Sequence, residues 1–161
     1  MTYEEFADTQ LPGLLRYAVM LTGDPHTAED LVQDTMVRVQ LNWRRVSHSD
    51  SPDGYVRRVL TNRFVDLRRG SWWRRVLLNP DPDPTRPEAR DHAQDSADRD
   101  QIWTMLATLP RRQRAALVLR YYEDLPDAEI ADVLGCAVGT VRSSISRALA
   151  TLRADLVEAS R

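Results

Sequence analysis

A run of prolines near the middle of this chain restricts its fold more than any other feature. Between Val76 and Asp98 the sequence reads Asn79-Pro-Asp-Pro-Asp-Pro84 and then Pro87, with little apolar content after Leu78. Proline lacks an amide proton and fixes φ, so this density breaks helix and favours extended backbone. The chain therefore reads as two folded parts, 1–75 and 99–161, joined by a linker over residues 76–98. Both flanks place apolar residues at helical spacing and show no strand-like alternation. With 161 residues, 42% of them hydrophobic, there is enough apolar material for two small helical cores. The expected fold is all-α.

In the first part Leu11, Leu14, Leu15, Ala18 and Leu21 recur at helical spacing. Thr22-Gly23-Asp24-Pro25 then stops one helix and starts the next, with Gly as terminator, Asp24 as cap and Pro25 in the first turn. Ala28, Leu31, Val32, Thr35 and Val39 form the apolar stripe of that second helix. A third helix is predicted from Ser51-Pro52 to about Arg69, burying Val56, Val59, Leu60, Phe64 and Leu67. Outside the linker, glycine and proline are expected at element ends. The sum is a three-helix core whose last helix is basic.

In the second part Ile102, Met105, Leu106 and Leu109 mark a short helix, and Pro110 opens another carrying Ala116, Leu117, Leu119 and Tyr121. The segment from Leu125 to Val141 has helix-turn-helix spacing. Ala131 lets two helices cross closely, Gly135 accepts a left-handed turn, and Val141 seats the second helix on the first. Val141, Ile145, Ala148, Leu149 and Leu152 continue the apolar stripe. Gly139, Ser143, Ser146 and Arg147 face away from it, flanked by Thr140 and Arg142. Small polar residues with arginine suit a helix lying in the major groove of DNA, though a solvated helix face has the same composition.

The net charge of −2 conceals a strong polarity. Residues 1–37 carry seven acids and one Arg, whereas residues 38–76 carry ten Arg against three Asp. Residues 77–100 carry seven acids and three Arg, and residues 101–161 eight Arg and seven acids. There is no lysine. An acidic face followed by a basic block points to two partners of opposite character, nucleic acid among them, or to plain solvated surface. Asp30 and Asp34, one turn apart, cost a little in helix stability, so folding alone does not ask for them. They fit a basic surface on a protein partner, or are surface charge. Arg57, Arg58, Arg63, Arg68 and Arg69, with Asn62 among them and Trp72 and Trp73 beyond, are of the types that single-stranded DNA binding uses, and nucleic acid is favoured over a solvated face for the arginines. The tryptophans either stack on bases or pack in the core.

Several classes drop out. No apolar run exceeds five residues, as in Ala115–Leu119, so no membrane insertion is expected. The acidic start MTYEEFADTQ is unlike a secretory leader, and one cysteine, Cys136, allows neither an internal disulfide nor a multi-cysteine zinc site. The expected location is cytoplasmic. His26, His48 and His92 have no metal-site spacing, and no phosphate loop or nucleophile elbow is present, so neither a cofactor nor an enzyme is expected.

Three segments resemble one family in the right order, the extracytoplasmic-function sigma factors of bacterial RNA polymerase. LTGDPHTAEDLVQD over residues 21–34 resembles their regions 2.1–2.2, and YVRRVLTNRFVDLRR over 55–69 their regions 2.3–2.4. LPRRQRAALVLRYYEDL over 109–125, with the helix-turn-helix, resembles region 4. The all-arginine usage and the pattern around Pro52-Asp53-Gly54-Tyr55 are similar to an actinobacterial subgroup. The resemblance implies that Asp30, Gln33 and Asp34 meet the β′ clamp of core polymerase. It implies that Arg57, Arg58, Asn62, Arg63, Asp66, Arg68 and Arg69 hold a melted −10 element. Thr140, Arg142, Ser143, Ser144, Ser146 and Arg147 would read a duplex −35 element. The β flap and an anti-sigma factor are further implied partners, and the acidic linker would imitate RNA charge near the active-centre channel.

This chain departs from the family in three places. Ser144 and Ser146 stand where a basic residue and His are common, and Ala137 stands where Ser or Thr usually caps the recognition helix. A promoter-specificity subunit is thus the leading reading, and a free-standing helix-turn-helix regulator the alternative. A 23-residue linker reaches at most about 75–80 Å. Two sites two duplex turns apart lie about 70 Å from each other. The linker spans that separation only when stretched near its limit, a rarely populated state, so the free chain is expected to bind a promoter poorly without polymerase.

Overall fold

The computed structural model describes residues 1–66 and 95–161, with side chains in the second stretch from Asp100 onward. All regular structure among the described residues is helical. The first part contains α1 (Tyr3–Thr22), α2 (Pro25–Leu41), α3 (Trp43–Ser47) and α4 (Pro52–Asp66). The second contains α5 (Asp95–Ala107), α6 (Arg111–Tyr121), α7 (Asp127–Leu134) and α8 (Val138–Ala159). The expectations for Leu67, Arg68, Arg69, Trp72 and Trp73 fall outside the described residues, as do those for residues 76–94. Residues 95–98, read as the end of the linker, already belong to α5.

Helix α1 starts well before Leu11. Thr2 and Glu5 make a reciprocal capping box: the Thr2 hydroxyl accepts from the Glu5 amide at 3.2 Å, and the Glu5 carboxylate from the Thr2 amide at 2.9 Å. The first turns then bury Phe6 and Ala7, with the Phe6 and Tyr3 rings on Trp43 at 5.1 and 5.8 Å. Leu11 is 38% exposed and outside the core. Pro12 and Gly13 lie inside this helix rather than at its end. Pro12 faces solvent there, and burial of apolar residues on both sides of it outweighs the lost backbone bond.

The turn to α2 follows the expectation closely. Gly23 adopts φ 71°, and its amide closes on the Val19 carbonyl at 2.8 Å. Asp24 accepts from the amides of His26 and Thr27, and Pro25 occupies the first turn. Helix α4 buries Val56, Leu60, Thr61 and Phe64, whereas Val59 is half-buried. A polar chain ties α1 to α4: the Tyr17 phenol bonds the Thr61 hydroxyl at 2.7 Å, and Thr61 donates to the Arg57 carbonyl at 2.7 Å. Short helix α3, which periodicity does not resolve, brings Val46 into the core.

In the second part, α6 buries Ala115–Leu119, while Tyr121 is 63% exposed. Helices α7 and α8 form the helix-turn-helix. Ala131 is buried at the crossing, Gly135 adopts φ 65°, and Val141 is fully buried. Ala137 caps α8 with no side-chain bond, so the amides of its first turn lack the usual acceptor.

The two parts abut. α4 packs on α6 and α7, and α1 on α6. Arg111 donates to the Phe64 carbonyl at 3.2 Å and Arg114 to the Leu21 carbonyl at 3.0 Å. Both guanidinium groups lie over the Phe64 ring, at 5.5 and 5.7 Å. Arg57 pairs with Glu123 at 3.4 Å across the same interface.

Two stability measurements check this account. Ala137→Ser restores a cap acceptor and is expected to raise the urea midpoint by the equivalent of about 1 kcal/mol. No change would mean that another group already satisfies those amides. Burial pushes the Tyr17 phenol far above its ordinary value, so the native state keeps that proton after the unfolded chain has lost it. The stability that this phenol contributes is therefore fully present below about pH 10 and is lost as pH rises beyond it. Tyr17→Phe is expected to cost about 1 kcal/mol at pH 7 and to flatten the alkaline decline. An unchanged alkaline slope would count against the buried phenol as its source.

Candidate nucleic-acid and partner interfaces

The acidic side of α2 is set by its cap. Asp24 and Pro25 start the helix in a register that buries Ala28, Leu31, Val32 and Thr35 and turns Asp30 and Gln33 outward. Asp34 is half-buried and reaches sideways to α4, where it forms an ion pair with Arg63. The sequence reading of Asp34 as an open surface charge is thus incomplete. The second residue of the pair lies in the other predicted site.

A concave groove of about 480 Å³ includes Arg63 of that ion pair in its wall. It is lined by Arg38 of α2, Arg45 of α3, and Tyr55, Arg58, Val59, Asn62, Arg63 and Asp66 of α4. Of the residues predicted to hold the −10 element, Arg58, Asn62, Arg63 and Asp66 are brought together here. Arg57 is not. It points toward the second part and meets Glu123. Arg68 and Arg69 lie outside the described residues. The groove adds Arg38 and Arg45, which linear reading missed because they come from α2 and α3, and Tyr55 of α4. The only signal for the two arginines was the concentration of arginine from residue 38 onward.

In this groove four guanidinium groups surround one aromatic ring and one carboxamide. Guanidinium groups neutralise phosphates, a tyrosine face takes a stacked base, and a carboxamide can bond a base edge. The ion pair with Asp34 fixes one of the four arginines in place.

Helix α8 presents the second surface. Gly139, Thr140, Arg142, Ser143, Ser146 and Arg147 are exposed, Ser144 is half-buried, and Val141, Ile145 and Ala148 seat the helix. Arg142 donates through Nε to one oxygen of Asp127 at 3.2 Å, and Arg120 bonds the other oxygen. Burial works to raise the pKa of Asp127. The hydrogen bonds and charges of Arg142 and Arg120 outweigh it and hold the carboxyl below the usual range. Asp127 and Arg120 escaped the sequence reading, because seven and fifteen residues separate Asp127 from its partners.

Two further features border these surfaces. A cleft of about 930 Å³ between the two parts is lined by Arg57, Arg58 and Tyr55 on one side and Glu129, Asp132 and Cys136 on the other. An apolar groove of about 360 Å³ is walled by Met20, Ile102, Met105, Leu117, Tyr121, Tyr122, Leu149 and Leu152, among others. Among the described residues no cluster of three His, Cys, Asp or Glu side chains could hold a metal. No helix there is long and apolar enough to cross a membrane.

Comparison with known proteins matches both parts. The model for Sigma-70 region 2 covers residues 6–74, and that for Sigma-70 region 4 covers residues 99–152. The RNA polymerase sigma-E factor of Streptomyces coelicolor is 36% identical over 98% of this chain and 87% of its own. The ECF RNA polymerase sigma factor SigL of Mycobacterium tuberculosis is 35% identical over 90% of this chain and 83% of its own. Among solved structures, the sigma factor RpoE in complex with the anti-sigma factor NepR from Bartonella quintana matches with a TM-score of 0.68. It is 24% identical and the match covers 99% of this chain and 98% of that one, a likeness of fold.

Proposed function

This chain belongs to the extracytoplasmic-function sigma factors of the sigma-70 family, and on that premise we propose how its surfaces divide the work of starting transcription. As a promoter-specificity subunit it binds core RNA polymerase and recognises −10 and −35 elements. The observation that carries the division is that one chain holds a basic groove built for single strand and a helix-turn-helix built for duplex. A free-standing regulator needs only the second.

In this reading the domains are residues 1–75 and 95–161, the second beginning with α5. Asp30, Gln33 and Asp34 meet the basic β′ clamp. Arg58, Asn62, Arg63 and Asp66, with Arg38, Arg45 and Tyr55, hold the melted −10 strand: the arginines on its phosphates, Tyr55 against a base. Arg57 joins them only when its pair with Glu123 opens. Arg68 and Arg69, which follow α4 in the sequence, join them in this reading. Thr140, Arg142, Ser143, Ser144, Ser146 and Arg147 read the −35 duplex from the major groove. The β flap needs an apolar seat, and the groove around Leu117, Tyr121 and Leu152 has the matching character. An anti-sigma factor is a further partner of the same kind as the one named with the Bartonella quintana protein. The chain works in the cytoplasm as a binding subunit and supplies no catalytic group.

Helix α4, which carries the −10 groove, packs against α7 of the −35 domain. Sites about 70 Å apart along a duplex cannot both be engaged from that arrangement. Core polymerase therefore draws the two domains apart and holds them at promoter spacing.

Asp34→Arg places a positive charge opposite the clamp and is expected to lower core affinity by more than about tenfold. Competition against wild type for core polymerase measures this. Circular dichroism checks the fold, because Arg63 loses its partner in the same variant. Equal competition would remove Asp34 from the polymerase face. The isolated chain is expected to bind promoter DNA far more weakly than holoenzyme at the same salt. Sequence-specific binding within about tenfold of holoenzyme, a difference of only 1.4 kcal/mol, would favour the free-standing regulator.

A further inference from the structure

Asp127 opens α7, where the helix dipole favours a negative charge. Its carboxylate receives arginines from two other helices, Arg120 of α6 on one oxygen and Arg142 of α8 on the other. The carboxylate side chain is 18% exposed, while that of Arg142 is 71% exposed. Arg142 is thus anchored near its stem and projects into solvent beyond the anchor. A guanidinium is a rigid planar fork of five N–H donors. With Nε held, its two terminal nitrogens remain to reach O6 and N7 of guanine side by side. A phosphate contact needs only positive charge in the right place, so it gains little from such a fixed plane. Anchoring also removes part of the side-chain freedom that an unrestrained arginine loses on binding. Arg142 stands in the first turns of α8, the part of a recognition helix that meets base edges.

We propose that Asp127 is a positioning residue for −35 recognition, holding Arg142 by Nε so that its terminal nitrogens meet a guanine end-on. The proposal rests on the assignment of α8 to the −35 element. Arg120 bonds the other carboxylate oxygen and ties α7 to α6, leaving the oxygen that holds Arg142 to act on its own.

Holoenzyme reconstituted from core polymerase and each variant, competed against duplexes substituted at every −35 position, tests it. Arg142→Ala is expected to lose about fivefold or more of its preference at one G·C pair, as loss of a bidentate contact should. Asp127→Asn, isosteric and checked for fold by circular dichroism, is expected to lose about threefold or more at that same pair. Its affinity for the other duplexes should hold or rise, because a negative charge near the phosphates is gone. In an Arg142→Ala background, Asp127→Asn should change the preference no further. Arg120→Met, which loosens α7 from α6 and leaves Arg142 its anchor, should keep it.

Asp127→Asn with wild-type preference, beside an Arg142→Ala that has lost it, overturns the positioning role alone. Arg120→Met reproducing the loss, or Asp127→Asn acting without Arg142, assigns Asp127 to domain structure and overturns it too. Wild-type preference in Arg142→Ala itself removes Arg142 from the base edges, and with it both the proposal and that part of the −35 reading.

Discussion

Phe64 holds the two parts of this protein together. Its ring lies in the apolar core and is covered by the guanidinium groups of Arg111 and Arg114, and its carbonyl accepts from Arg111. Burying guanidinium groups is costly unless each N–H has an acceptor. Arg114 recovers part of that cost by donating from its two terminal nitrogens to the carbonyls of Leu21 near the end of α1, Ala107 at the end of α5 and Leu109 just beyond it, while its Nε is buried without an acceptor. Burial, and then the neighbouring Arg111 charge, lowers the pKa of Arg114. The placement of α4 follows from this node. One face of α4 joins the first core, one meets the second part, and the third is left to carry the groove of Arg58, Asn62 and Arg63.

Charge counting alone misreads such arginines. Residues 101–161 carry eight arginines, yet Arg111, Arg112 and Arg114 spend their donors on backbone carbonyls and Arg120 on Asp127. Arg112 closes the end of α7 through the Leu134 carbonyl at 2.9 Å. Three of the remaining four arginines, Arg142, Arg147 and Arg153, stand on α8. Lysine, with a compact ammonium group, could not bridge ring, carbonyl and carboxylate in the same way.

Local signals were legible in the sequence and long-range ones were not. The Gly23–Asp24–Pro25 break, the stripe of α2, and the Ala131–Gly135–Val141 spacing all appear where local chemistry demands them. The start of α1 did not, because Leu11-Pro12-Gly13 has the look of a boundary. The Thr2–Glu5 capping box is a local signal for the earlier turns, and the packing of Phe6 and Tyr3 on Trp43, distant in sequence, anchors them. Tyr121 fitted a buried stripe by period but falls at the end of α6, where no helix covers it. The basic groove was half legible: Arg58, Asn62, Arg63 and Asp66 share one helix and can be grouped by spacing. Arg38 and Arg45 reach it from α2 and α3, and no linear pattern records that meeting. Asp127 stayed hidden for the same reason.

The cleft between the two parts gives the molecule an unusual practical property. Its sole cysteine, Cys136, sits in the turn before α8 and lines that cleft together with Arg57 and Arg58 of α4. Thiol-directed labelling therefore needs no removal of competing sites and no engineered residue. A fluorophore or spin label attached there would stand at the seam itself. Its surroundings would change from a charged crevice to open water if the halves separated, so the native sequence already carries a reporter of whether the seam is closed.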